Sequence, residues 1–175
     1  MPPRSSKPKP PAAPVLDAGL RLLANRAHSR TELRRKLARR GYQEEEVAGA
    51  VARLTELGYL DDASFASGHV RRRSSTRGPL ALSAELSARG VDKQMADAAL
   101  AGFDPEAQLA AATRLAARLA GDRRTARLAG PRQTAGYREL LDSVGAKLLR
   151  RGFSMTVARE ACRAVWTGTD AASDP

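Results

Sequence analysis

The sequence predicts an all-α protein, three tandem three-helix repeats forming an elongated, curved molecule. Three observations point there. Apolar residues make up 42% of the 175 residues but aromatic ones only 4%. The core must then be built from Leu, Ala and Val, which suits closely packed helices better than a sandwich or barrel. No segment shows a sustained period-two alternation, and one short pattern occurs three times.

In the first copy the pattern reads Glu32-Leu33-Arg34-Arg35-Lys36-Leu37-Ala38-Arg39-Arg40-Gly41-Tyr42. Its counterparts occupy residues 81–91 and 143–153. Counting back from Gly41, Gly90 and Gly152, each copy has an apolar residue at eight, a leucine at four and an arginine at one. Each also has an apolar residue immediately after the glycine. The two apolar positions lie on one helix face as a buried stripe. The glycine suits the left-handed C′ position, and the residue after it folds back onto the last turn.

The elements follow in order. Residues 1–14 hold six of the ten prolines and no acidic residue, a composition that predicts a disordered basic arm. The first repeat takes residues 15–60. Leu16, Leu20 and Leu23 mark its opening helix over residues 15–26, and Ser29-Arg30-Thr31-Glu32 reads as a capping box for the next. Gln43, a poor N-cap, precedes the third helix. The second repeat takes residues 61–103, with Asp61 capping a helix through Phe65, Gly68 and His69 to Arg73, and Asp92 capping its last. The third takes residues 104–166. Asp104-Pro105 starts a helix that Leu109, Leu115 and Leu119 carry to Gly121. Residues 121–136 read as a linker, and Ser154 caps the final helix. Residues 167–175 read as a disordered polar tail.

A net charge of +11 and a pI near 10.9 favour a polyanionic partner. The excess is uneven. The arm carries +3, residues 15–73 and 104–175 carry +4 each, and residues 74–103 are neutral. With Leu33 and Leu37 facing inward at about 100° per residue, Arg35 and Arg39 fall opposite, flanked by Arg34 and Lys36. Arg71, Arg72 and Arg73 close the next helix, where cations complement the helix dipole. The linker adds Arg123, Arg124, Arg127 and Arg132, and Arg150 and Arg151 follow. These clusters read as a broken basic surface for a partner or for DNA, or as solvated helix faces. Arg40, Arg89 and Arg151 read as structural, their guanidinium groups meeting free carbonyls at a helix end.

Several chemistries lack the residues they need. His28 and His69 are too few and isolated for a metal site and read as surface or cap residues. Glycine spacing gives no phosphate loop, and Cys162 sits at an apolar repeat position, which predicts a buried, inert thiol. A lone cysteine excludes an intramolecular disulfide. No run approaches the length of a membrane span. No catalytic residue, metal or cofactor is expected, and the localisation expected is cytoplasmic.

Two stretches resemble the RecX family. Residues 26–37 present Arg26, His28-Ser29, Glu32-Leu33 and Lys36-Leu37; residues 57–66 present Gly58-Tyr59-Leu60-Asp61-Asp62 and Phe65-Ala66. Weaker likeness continues through Gly78-Pro79, Glu85-Leu86, Arg89-Gly90-Val91 and Arg150-Arg151-Gly152-Phe153. The resemblance implies tandem three-helix repeats and a non-catalytic regulator in recombination, DNA repair and the SOS response. It implies binding to RecA and the RecA–DNA filament, with inhibition of ATPase, strand-exchange and coprotease activities. The resemblance extends the expected partners to single- or double-stranded DNA, and a general nucleoid-type DNA-binding protein is the alternative. A monomer is expected. Relatives commonly carry basic residues after Gly78-Pro79, whereas Leu80-Ala81-Leu82-Ser83 stands here, so the middle repeat is expected to act as a spacer or apolar contact.

Overall fold

A computed structural model of the chain describes residues 13–121 and 133–170, and among them every regular element is helical. The first module holds α1 (Val15–Asn25), α2 (Arg30–Ala38) and α3 (Glu44–Glu56). The second holds α4 (Asp62–Arg73), α5 (Pro79–Ala88) and α6 (Lys93–Ala101). The third holds α7 (Pro105–Ala120), α8 (Gln133–Leu140), a π turn (Leu141–Gly145), α9 (Ala146–Arg150) and α10 (Met155–Asp170). Helices α8 and α9 continue one another through the π turn, so the third module is also a three-helix unit.

The repeat is the packing unit. Leu33, Leu82 and Val144 are buried, as are Leu37, Leu86 and Leu148 four residues later. Gly41, Gly90 and Gly152 take positive φ angles of 90°, 73° and 85°, the left-handed turn that ends each middle helix. Val91 and Phe153 fold back with their N–H groups on the carbonyls of Leu86 and Leu148, at 3.1 and 3.2 Å. Each repeat leucine thus supplies a side chain to the core, and in the last two modules a carbonyl to the corner.

Most caps are the predicted ones. Ser29 Oγ accepts the Glu32 N–H at 3.0 Å, Asp61 Oδ1 that of Ala63, Asp92 Oδ1 that of Gln94 and Asp104 Oδ1 that of Ala107. The Ser29 box is only half built, because the Glu32 carboxylate turns elsewhere. Gln43 works better than its type suggests, since Glu46 Oε2 accepts its N–H at 2.9 Å.

The modules do not share one core. Ala18, Leu22, Leu33, Leu37, Val47, Val51, Leu54 and Leu60 form the first module's own cluster. A second cluster runs without a break from Phe65 and Leu86 through Leu115 and Leu148 to Cys162 and Val165. The second and third modules are therefore fused by apolar packing.

Two boundaries and one element differ from expectation. Helix α8 begins at Gln133, inside the expected linker, and the π turn gave no sequence signal. Helix α10 continues to Asp170 into the expected tail, and Thr167 Oγ1 donates back one turn to the Arg163 carbonyl at 3.1 Å. The arm, except residues 13–14, the end of the tail, and Arg123, Arg124, Arg127 and Arg132 lie outside the described residues. Among the described residues no helix is long and apolar enough to cross a membrane.

Candidate partner-binding surface

A protein this basic offers its partner only the cations that its own carboxylates leave free, so the acidic residues come first. Glu32 sits on α2, 15% exposed, and receives Arg26 at 3.2 Å, His28 Nδ1 at 3.3 Å and Arg89 at 2.5 Å. Burial pushes its carboxyl upward, but hydrogen bonds from Arg26 and His28 and the charge of Arg89 outweigh it and hold the group below its ordinary value. Burial likewise lowers the basicity of His28, which donates to Glu32 as the neutral ring.

Glu85 repeats the arrangement in the second module. His69 Nε2 donates to it at 2.8 Å, and Arg73 and Arg77 lie at 3.2 and 3.3 Å. Burial raises this carboxyl too, and the bonds from His69 and Arg73 again prevail. Both histidines are buried, at 3% and 6% exposure. They were expected at the surface or as caps; each instead fills the space beside a glutamate, where one ring nitrogen is satisfied and the ring packs. His69 also stacks on Phe65 with centroids 6.2 Å apart.

The residues most distinctive in the sequence meet at the joint between the first two modules. Ser29 Oγ donates to the Arg89 carbonyl at 2.6 Å and Thr31 Oγ1 to that of Gly90 at 3.2 Å. The buried Asp62 accepts the Arg30 N–H at 2.9 Å, and Arg35 Nη1 donates to the Ala88 carbonyl at 3.2 Å. Leu60 enters the first core while Phe65 enters the second. The first diagnostic stretch thus forms one side of a polar joint, and Asp62 of the second stretch forms the other side together with residues 88–90. Arg89 corrects the expectation that its guanidinium meets carbonyls: a carboxylate on the neighbouring module outcompetes them.

The joint between the second and third modules uses the same corner. The carbonyls of Arg151 and Gly152 accept the N–H groups of Gly78 and Leu80, at 2.8 and 3.1 Å. A Cβ on Gly78 would lie 2.3 Å from the Gly152 oxygen, and one on Gly152 would lie 2.2 Å from Ala81 N. The close approach needs glycine on both sides.

The cations singled out from sequence now separate. Arg35 is engaged at the first joint and Arg73 at Glu85. Arg72 lies over Gly68, where an added Cβ would come within 3.1 Å of its Nη1. Among the described residues Arg34, Lys36, Arg39, Arg71, Arg72 and Arg150 form no ion pair. Arg34, Arg39, Arg71, Arg72 and Arg150 are exposed and Lys36 is half-buried. Those of α2 stand on the first module, Arg71 and Arg72 on the second and Arg150 on the third. Arg114 of α7, also exposed and without an ion pair among the described residues, was missed because that alanine-rich helix carries only it and Arg118 and shows no basic cluster. Among the described residues no group of three His, Cys, Asp or Glu side chains could hold a metal ion. Cys162 is fully buried and its thiol is pushed up by burial.

Comparison with known proteins places this architecture. Residues 16–54 match the family model for the first three-helix domain of RecX, and residues 61–100 that for the second. A regulatory protein RecX of Mycolicibacterium vanbaalenii is 45% identical over 55% of this chain and 53% of its own length. The chain thus spans about half of that relative. The regulatory protein RecX of Mycobacterium ulcerans is 39% identical over 81% of this chain and 78% of its own. The crystal structure of RecX from Lactobacillus salivarius superposes with a TM-score of 0.72 over 86% of this chain and 94% of that one; at 24% identity it bears on the fold alone. With both three-helix domains matched and a relative aligned over most of its length, the chain belongs to the RecX family of regulatory proteins.

Proposed function

We propose that the chain binds RecA or the RecA–DNA filament and inhibits its ATPase, strand-exchange and coprotease activities without chemistry of its own. The observation that carries the reading is the family relationship, which spans the joint and both flanking modules. Free cations on three modules in series support it, since several weak contacts held in one body act together far more strongly than any one alone. The test is RecA's DNA-dependent ATP hydrolysis with this chain added up to and beyond stoichiometric amounts. Slowed hydrolysis is expected; an unchanged rate over that range overturns the reading.

The net charge of +11 favours a second reading, sequence-independent DNA binding in which RecA contact is incidental. Neutralising about five phosphates gives log affinity a slope of roughly −4 to −5 against log salt on duplex DNA. Salt-steep DNA binding by a chain that leaves RecA untouched would select this reading over the first.

A further inference from the structure

Helices α4, α6 and α7 enclose a groove of about 680 Å3 where the second module meets the third, within the size range of ligand-holding clefts. Its floor is apolar and low. Ala99, Ala107 and Ala111 pave it with Val70 and Phe103, and the exposed Ala98 and Ala110 stand at its rim. Alanines let a second backbone approach closely. Arg71 from α4 and Arg114 from α7 stand on its wall, both exposed, and neither forms an ion pair among the described residues. No acidic residue lines it.

We propose that this groove docks an acidic amphipathic helix of a protein partner, with apolar side chains on the alanine floor and carboxylates on Arg71 and Arg114. Charge and shape select this occupant together. A nucleic-acid backbone would use the two arginines but gain nothing from the floor. A second copy of this chain would bring a strongly basic surface to a basic groove. The inference concerns the chemistry of a partner on one face and stands whether or not RecA is that partner.

The probe is a synthetic helical peptide with a leucine stripe flanked by glutamates, titrated into the isotopically labelled full chain. Peptides with glutamine for glutamate, or serine for leucine, are the controls. Amide shifts are expected within residues 98–114 and at Arg71, with weaker binding of both controls. Arg71→Glu with Arg114→Glu should weaken the acidic peptide about tenfold, as two exposed attractions become repulsions. Ala110→Trp, at an exposed position that leaves the fold intact, should fill the groove and block binding. No groove shifts at millimolar peptide, or equal binding by these variants, overturns the proposal. So does an oligonucleotide that shifts the groove when the peptide does not, or a dimer that Ala110→Trp dissociates.

Discussion

Arg89 Nη1 lies 2.5 Å from Glu32 Oε1, an ion pair spanning 57 residues of chain that ties the second module to the first. The first module has its own apolar cluster, whereas the second and third share one. Polar contacts therefore set the angle between the first module and the rest. The free cations of α2 are held relative to those of α4 by hydrogen bonds and charge.

Glu32→Gln keeps the shape of this joint and removes its charge. Arg89 is about one third exposed, so water recovers part of the loss. The expected cost is about 1–2 kcal/mol by urea unfolding, with weaker protection from hydrogen exchange at residues 29–32 and 88–91. Unchanged stability and protection would show that the pair is incidental.

Acid should loosen the same joint. The carboxyls of Glu32 and Glu85 are held below the ordinary value of 4.5. Below that value the unfolded chain takes up protons first, so the stability they contribute is present above it and is lost as pH falls through the folded-state value. His28, lowered from 6.5 by burial, acts in the same direction from a higher pH, because burial disfavours its charged ring in the folded site. Stability should decline in two stages, beginning below about pH 6.5 and again below about 4.5. His28→Gln should remove the first stage and leave the second. A profile flat from neutrality to pH 5 contradicts the assignment of His28.

Local signals in the sequence were enough for the architecture. The spacing of Leu33, Leu37 and Gly41 and of its two copies marks each middle helix and its corner, because the packing stripe and the left-handed turn are both encoded within a dozen residues. Aspartates and serines named most helix starts for the same reason. The joint was not legible. Glu32 has the spacing of a capping-box partner for Ser29, and nothing local reveals that Arg89 will reach it from another module. Arg35 was placed on the outer face correctly by helical geometry, but that face meets the end of α5. Arg71 and Arg114 belong to different modules, so their shared groove exists only once α4, α6 and α7 are packed.

The three corner glycines should respond unequally to alanine. All have positive φ, so each substitution carries the left-handed strain of about 1–2 kcal/mol. At Gly41 an added Cβ meets nothing within 4 Å, and strain should be the whole effect. At Gly90 it would lie 2.4 Å from Thr31 Cβ, which forces the modules apart. Gly90→Ala should therefore cost at least twice as much as Gly41→Ala in chemical denaturation. Equal costs would mean that the corner is only a helix terminator.

Leu37→Ala and Leu148→Ala test the division of the core. Both leucines are fully buried, one in each cluster, and each truncation should cost about 2–5 kcal/mol. With separate cores, Leu37→Ala should speed hydrogen exchange in α1–α3 and largely spare α7–α10. Leu148→Ala should speed exchange in the second and third modules together. Uniform loss of protection in both variants would show one cooperative unit.

Charge reversal on α2 distinguishes a docking cation from a joint cation. Arg39 is exposed and forms no ion pair among the described residues, whereas Arg35 donates to the Ala88 carbonyl across the joint. Arg39→Glu should leave unfolding within about 0.5 kcal/mol of the parent and lower affinity for an anionic partner, with a shallower dependence on salt. Arg35→Glu should alter both quantities, because its carboxylate would face the Ala88 carbonyl and withdraw the bond between modules. Binding and unfolding measured on the same two proteins decide the matter. An Arg39→Glu protein that binds RecA and DNA as tightly as the parent means that this face of α2 points away from the partner, and the docking surface then lies with Arg71, Arg72 and Arg150.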